Sequence, residues 1–348
     1  MRLLVLTQKI DKNDLNLGFF HRWLEAMSSD FESVEAVALG LGEYNLPNNI
    51  CVHSLGKEKG ISRLAKIINF YRLIFSLRGR YDAVFIHMNP EYAVLGGMFW
   101  KLWEKPIYLW YVHKSITWKL RLASFFAKQI FTANFSSCRL ANRKKIAIVG
   151  HGIDTNLFVP RTVPKDEKFT VLAAGRMSPV KKYETVLAAL NKINGEDIKK
   201  IKLLIIAPIL DQAGENYKDF LFKKIKDYGL EDAVQIIPGV REDELANMYN
   251  KADLLVHTSE TGSVDKVVLG AMASELPVLS SSEAFDFLPA PHRFKKINSE
   301  SGEYDELAEK IVFFMRRRGE KYPELRDIVE KYFSLSNLFK KIKEKMEL

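Results

Sequence analysis

Only two cysteines, Cys51 and Cys138, occur in 348 residues. Their spacing fits neither a metal clip nor a redox pair, so no disulfide framework is implied and a reducing compartment suits the chain. Long apolar runs are missing too. The most apolar region, residues 92–112, contains Lys101, Glu104 and Lys105 and falls short of the roughly 20 apolar residues that cross a bilayer. The apolar start, LLVLT at 3–7, is too short for a leader and is followed by Lys9, Asp11 and Lys12, so it reads as a first strand. There is no internal repeat and no low-complexity tract. What remains is a globular chain, expected in the cytoplasm or peripheral on the inner face of the membrane.

The chain is 47% apolar and 27% charged, which is enough material for two cores. Its net charge of +9 is unevenly placed: residues 1–158 hold 21 Lys/Arg against 12 Asp/Glu, and the remainder balances at 31 against 31. Two prolines and a polar run in GHGIDTNLFVPRTVPKDEKF mark a boundary near 160, just before a new strand. Domains are expected over 1–158 and 159–330, followed by a basic amphipathic helix within 331–348.

Hydrophobic periodicity predicts strands at 2–7, 34–38, 83–87, 106–112, 129–132 and 146–149, with helices near 18–28, 61–78 and 91–103. In the second half it predicts strands at 169–174, 202–206, 233–237, 253–256 and 277–280. Helices are predicted between them near 183–193, 215–228, 242–250 and 264–274. Such alternation means βα units, hence an α/β chain with two parallel-sheet domains whose cleft would take a ligand.

The most informative stretch is 251–281, where the apolar run Leu254, Leu255, Val256 enters a polar turn and then a helix with Val264, Val267, Val268, Ala271 and Met272 on its face. In an open parallel sheet, ligands meet the turns beyond the carboxyl ends of the strands, where helix N-termini present unpaired N–H groups. The turn around residues 258–266 is therefore a nucleotide-site layout. A second constellation, AAGRMSPVKK, puts Arg176 directly after Gly175 and Lys181 five residues later. Arg offers a planar fork and Lys a compact charge, which suits a diphosphate. Two solvated loop cations would have the same spacing.

The motifs GRMSPVKK, GHGIDTNLF and SETGSVDKVVLGAMASELPVLSS, in this order, resemble the GT-B glycosyltransferases of family 4, retaining enzymes that use nucleotide sugars. The resemblance covers nearly the whole chain. It implies two Rossmann-like doubly wound domains facing a central cleft, with the closing helix crossing back toward the first domain. It makes Arg176 and Lys181 the diphosphate-binding pair that stabilises the leaving group, and Gly18 the loop glycine where backbone approaches the same phosphates. His113 matches the histidine facing the donor sugar, although a satisfied loop histidine has the same local sequence. His21 and His87 are weaker candidates for the acceptor side. Gly175, Glu260, Thr261, Gly262, Ser263, Val264, Asp265 and Lys266 complete the implied donor site.

One departure stands out: the family's two glutamates, separated by seven residues, are replaced by Gly262 and Gly270. Glycine has no side chain to accept from ribose hydroxyls. Either Asp265 and Lys266 take over contacts in this turn, with the ribose held by Glu275 or by backbone, or recognition is weakened. The expected activity is retaining hexosyl transfer from a nucleotide diphosphate sugar to a hydroxyl of a glycan or lipid-linked acceptor, an EC 2.4 reaction. It would proceed by a front-face route that needs neither cofactor nor metal. A nucleotide-sugar epimerase, a phosphorylase or a catalytically weak sugar-nucleotide-binding paralogue keeps the fold and changes the chemistry. Polysaccharide or envelope biosynthesis is the setting the family implies.

The basic first half also carries two amphipathic stretches. Ile61, Leu64, Ile68 and Tyr71 are flanked by Lys59, Arg63 and Lys66, and Trp118, Leu122, Phe125 and Phe126 by Lys119, Arg121 and Lys128. Either could rest on an anionic membrane surface, or simply turn its apolar side to the core. A nucleic-acid partner is not expected, since the cations are scattered and no recognition motif accompanies them.

Overall fold

The computed structural model describes residues 1–113, 115–134, 137–140, 143–259, 264–295 and 304–347. The chain divides into two units, one formed by Met1–Gly152 with Leu335–Leu348 and one by Ile153–Ser334.

The first unit runs β1 (Arg2–Ile10), α1 (Phe19–Asp30), β2 (Ser33–Leu41), β3 (Ile50–Ser54), α2 (Arg63–Ser76), β4 (Ala83–His87), α3 (Pro90–Leu102), β5 (Ile107–Trp110), α4 (Trp118–Phe126), β6 (Gln129–Thr132) and β7 (Ile146–Ile148). Its sheet has the order β3-β2-β1-β4-β5-β6-β7, with parallel pairing throughout. A parallel sheet buries both faces, and the period-2 alternation of side chains divides its apolar residues between two cores. Leu3 and Val5 of β1 pack on one side with Trp23, Trp110 and Phe85. Leu4 and Leu6 pack on the other with Phe70, Ile74 and Trp100.

The second unit runs β8 (Phe169–Ala174), α5 (Tyr183–Lys192), α6 (Gly195–Ile198), β9 (Ile201–Ile206), α7 (Gln212–Asp227), β10 (Val234–Ile237), α8 (Glu242–Lys251), β11 (Leu254–His257), α9 (Lys266–Ala273), β12 (Val278–Ser280), α10 (Asp305–Arg316) and α11 (Pro323–Tyr332). Its parallel sheet has the order β10-β9-β8-β11-β12. Val171 and Ala173 face one core with Leu203, Ile205 and Leu187. Leu172 and Ala174 face the other with Leu255, Leu269 and Met272. In each sheet the strand order reverses once, between β1 and β4 and between β8 and β11, and those reversals are the switch points where ligands enter open α/β sheets.

The chain passes into the second unit at Ile153, before the expected boundary at 158, because Ile153 bridges to Ser334 and donates its N–H to Phe333 O at 2.7 Å. Phe158 is part of the second unit's core. The last helix, α12 (Leu335–Glu347), packs with the first unit. Leu335, Leu338, Phe339, Ile342 and Met346 recur at helical spacing and are buried there. Phe339 meets the Trp23 ring edge-on at 5.4 Å, and Tyr108 donates its hydroxyl to Met346 O at 2.8 Å.

Candidate functional site

In the second unit the site is built from the two turns at the switch point. Gly175 directly follows β8, and its φ of +140° lies outside the range favoured by residues with a Cβ. A Cβ there would sit 2.7 Å from Lys181 Cε, so the glycine leaves the channel through which the Lys181 side chain runs. The turn ends with Lys182 in the left-handed region, φ +54°, from which α5 begins. Two hydroxyls pin this loop: Tyr183 donates to Gly175 O at 2.9 Å, and Thr258 donates to Lys181 O at 2.7 Å and to Lys182 O at 3.0 Å. Thr258 lies directly after β11, so it ties one turn to the other.

Lys181 donates from Nζ to the Asp265 carboxylate. Asp265 is the N-cap of α9, where it accepts from the Val267 N–H at 3.3 Å, and its Oδ2 lies 3.4 Å from His257 Nε2. His257 is the last residue of β11 and only 3% exposed. Its Nδ1 is 3.0 Å from Ser280 Oγ at the end of β12, an oxygen that also accepts from the Ser282 N–H at 3.2 Å. Placing the imidazole proton on Nε2 turns it to the carboxylate and leaves Nδ1 to accept from Ser280. Burial alone would push the Asp265 carboxyl up, but Lys181 and His257 outweigh it and hold the pKa well below the usual range. The neighbouring Lys266 ammonium is half-buried; burial pushes it down to about 7, against the opposing pull of Glu242 and Asp265.

Of the residues expected from sequence, the fold brings Gly175, Lys181, Asp265, Lys266 and the nearly buried Val264 to this switch point. Arg176 follows Gly175 there, exposed, with no hydrogen bond or ion pair among the described residues. Glu260, Thr261, Gly262 and Ser263 lie outside the described residues. Gly270 is buried in α9, where a Cβ would lie 3.0 Å from Tyr249 and 3.3 Å from Phe158, so aromatic rings occupy the space beside it. Glu275, proposed above as a substitute ribose ligand, has φ +56° beyond the far end of α9. Eight helical residues rise about 12 Å, so it lies at the opposite end of the helix from the Asp265 turn, and that substitution fails. Thr258 belongs to the 258–266 turn expected from sequence to meet a ligand, whereas His257, Ser280 and Tyr183 are not among the site residues expected from sequence. The available signal was a polar residue closing an apolar strand.

The first unit holds the other candidates. The loop before α1 is closed by Asp14, whose carboxylate accepts from the N–H groups of Asn16 at 2.9 Å and Leu17 at 2.7 Å and from Lys9 Nζ at 2.6 Å. A Cβ on Gly18 would lie 2.6 Å from Asp14 O, so the loop's own tight packing already demands this glycine. His21 is buried in α1 and its Nε2 accepts from the Asn45 N–H at 3.1 Å; burial lowers its pKa. His87 is 2% exposed, stacked on Phe20 at 4.3 Å and 3.3 Å from Thr7 Oγ1. It is thus packed inside the unit at the β1/β4 switch point. His113 is exposed beyond β5, with Nδ1 accepting from the Ser115 N–H at 3.1 Å. Among the described residues no three His, Cys, Asp or Glu side chains gather as a metal site.

The family model of the glycosyl transferases group 1 matches residues 155–332. The D-inositol 3-phosphate glycosyltransferase of Mycolicibacterium smegmatis is 28% identical over 151 residues, covering 41% of this chain and 33% of that protein. The mannosylfructose-phosphate synthase of Agrobacterium fabrum is 27% identical over 147 residues, covering 39% of this chain and 32% of that protein. The matches thus span about a third of the length of these curated relatives. Among solved structures, Anabaena Alr3699/HepE in complex with UDP superposes with a TM-score of 0.76 at 17% identity, over 100% of both chains. The sucrose-phosphate synthase of Thermosynechococcus elongatus superposes with a TM-score of 0.67 at 15% identity, over 100% of this chain and 98% of that one. At these identities the likeness speaks for the GT-B fold.

Proposed function

The chain belongs to the group 1 glycosyl transferases, and on that premise we propose that it is a retaining hexosyltransferase of family 4. It moves a hexosyl group from a nucleotide diphosphate sugar to a hydroxyl of a glycan or lipid-linked acceptor. The observation that carries this reading is the Gly175–Lys181 turn, which sets one exposed cation, Arg176, and one ordered cation, Lys181, at the carboxyl edge of the sheet where the strand order reverses. Both charges stabilise the diphosphate that leaves as the glycosidic bond breaks, an electrostatic task that grows as negative charge develops. Asp265 is a positioning residue: it holds Lys181 extended past Gly175, and His257 and Ser280 hold Asp265. In the front-face course, a donor phosphate oxygen takes the proton of the incoming hydroxyl, and the family resemblance assigns His113 to the donor sugar. UDP is the first donor base to try, since the Anabaena structure of the same fold was solved with it.

The test is a thermal-shift panel with UDP, GDP, ADP, TDP and CMP, followed by turnover of the matching sugar nucleotide with and without acceptor. Ligand at a hundred times Kd adds about 2.7 kcal/mol to stability, so one nucleotide raises Tm clearly. Arg176→Ala lowers turnover by about a hundredfold or more. Unchanged turnover in that variant removes Arg176 from the chemistry. Conversion of the donor without acceptor makes the protein an epimerase, and nucleotide binding without any turnover makes it a binder.

A further inference from the structure

We propose that the outer face of α2, α3 and α4 docks the first unit on an anionic bilayer surface. Each of these helices buries one apolar stripe in the same core: Phe70 and Ile74 from α2, Tyr92 and Trp100 from α3, Leu120 and Ala123 from α4. The core therefore has its share, and each helix carries a second apolar stripe that the core does not use. Leu64, Ile68 and Phe75 on α2, Met98 and Leu102 on α3, and Trp118, Leu122 and Phe125 on α4 are each 40–70% exposed. Their spacings of four and seven residues place them along single lines on their helices.

The three lines belong to one surface. On one side of α3, Phe75 meets Phe99 and Trp103 edge-on at 4.9 and 5.0 Å. On the other, Lys101 Nζ lies 5.3 Å over the Phe125 ring and the Phe126 ring packs against Gly97. Cations are interspersed: Arg63 and Arg72 on α2, Lys101 on α3 and Arg121 on α4 are exposed, and residues 61–128 hold eleven Lys/Arg against three Asp/Glu. One of those acids, Glu91, is paired with Lys119 at 2.8 Å.

An exposed mixture of Trp, Phe, Leu and Met with surrounding cations matches a headgroup boundary, where apolar tips enter the acyl region and cations stay with the phosphates. Complementary charge favours a bilayer over a second copy of this face, which would set cations against cations. None of the described helices is long and apolar enough to cross a membrane, so the attachment is peripheral. The docking stands on these observations alone. Only its consequence, a lipid-linked acceptor, rests on the transferase reading.

The experiment is flotation of the whole chain with phosphatidylcholine vesicles, with or without about 30 mol% phosphatidylglycerol. The protein is expected to float with the anionic vesicles and to be released by about 0.5 M salt. Arg72→Gln and Arg121→Gln each weaken partitioning about fivefold. Trp118→Ser combined with Phe125→Ser weakens it more than tenfold, while the melting curve and the nucleotide-induced shift stay as in the parent. No binding to anionic vesicles, binding unchanged in the variants, or equal binding to the zwitterionic vesicles overturns the proposal. Self-association abolished by Trp118→Ser with Phe125→Ser overturns it too and assigns the face to a second copy. A missing nucleotide shift with vesicle binding intact defeats the transferase reading and leaves the docking in place.

Discussion

Lys266 stands beside Asp265 with the opposite charge and a different fate. Asp265 gains Lys181 and His257, so burial does not neutralise it. Lys266 is pushed down to about 7 by burial, whereas in an unfolded chain a lysine titrates near 10.4. Between those values the unfolded chain binds a proton that the folded one does not, so Lys266 makes stability rise with pH from about 7 to about 10. Chemical denaturation at both ends of that window should show the rise in the parent, and a shallower one in Lys266→Met. Equal slopes would mean that Lys266 is solvated and titrates normally. None of this is legible in DKVVL, where both residues read as a polar helix start. His257 is hidden for the same reason: its link to Asp265, eight residues on, exists only because β11 ends where α9 is capped.

The β8–α5 turn depends on one glycine for two separate reasons. Residues with a Cβ avoid φ near +140°, and the added methyl would press on Lys181. Gly175→Ala should cost about 1–3 kcal/mol of stability from the backbone, read by urea melts. Lys181 must also swing away from Asp265, so nucleotide affinity should fall by more than the stability loss explains. Affinity unchanged in a destabilised variant would take Lys181 out of the ligand site. Most elements here were legible, because β8 and β9 are continuous apolar runs flanked by polar turns. β3 was not foreseen, since ICVHS alternates weakly on a sheet edge between Asn49 and Gly56. Helices α10 and α11 were passed over, although Leu307, Ala308, Ile311 and Phe314 carry a helical period that ends in a core.

Each of the two units has its own pair of cores, so the chain is expected to unfold in more than one step. In the second unit Asp253 is a useful reporter. Its carboxylate is 2% exposed and pairs with Lys165 and Arg318 at 3.0 Å each, and it accepts from the buried Thr170 N–H at 2.9 Å. Arg318 also donates to Asp166 O, Glu167 O and Lys168 O, which fixes the strand entering β8. Because both cations are partly exposed, Asp253→Ala should cost about 2–3 kcal/mol, at the lower end for a broken buried pair. The melting step of the second unit should fall by roughly 5–10 °C while the other step stays in place. A single unshifted transition would show that the pair is solvated and the cores melt together.

The sequence by itself determined the α/β class, nearly every strand, the division into two sheets and the family, because these follow from local periodicity and from short motifs whose residues are neighbours along the chain. Tertiary structure alone decided which charges meet. It paired Lys181 with Asp265, enclosed His87 in aromatic rings and set three apolar helix stripes side by side, since each of these joins residues that only the strand order brings together.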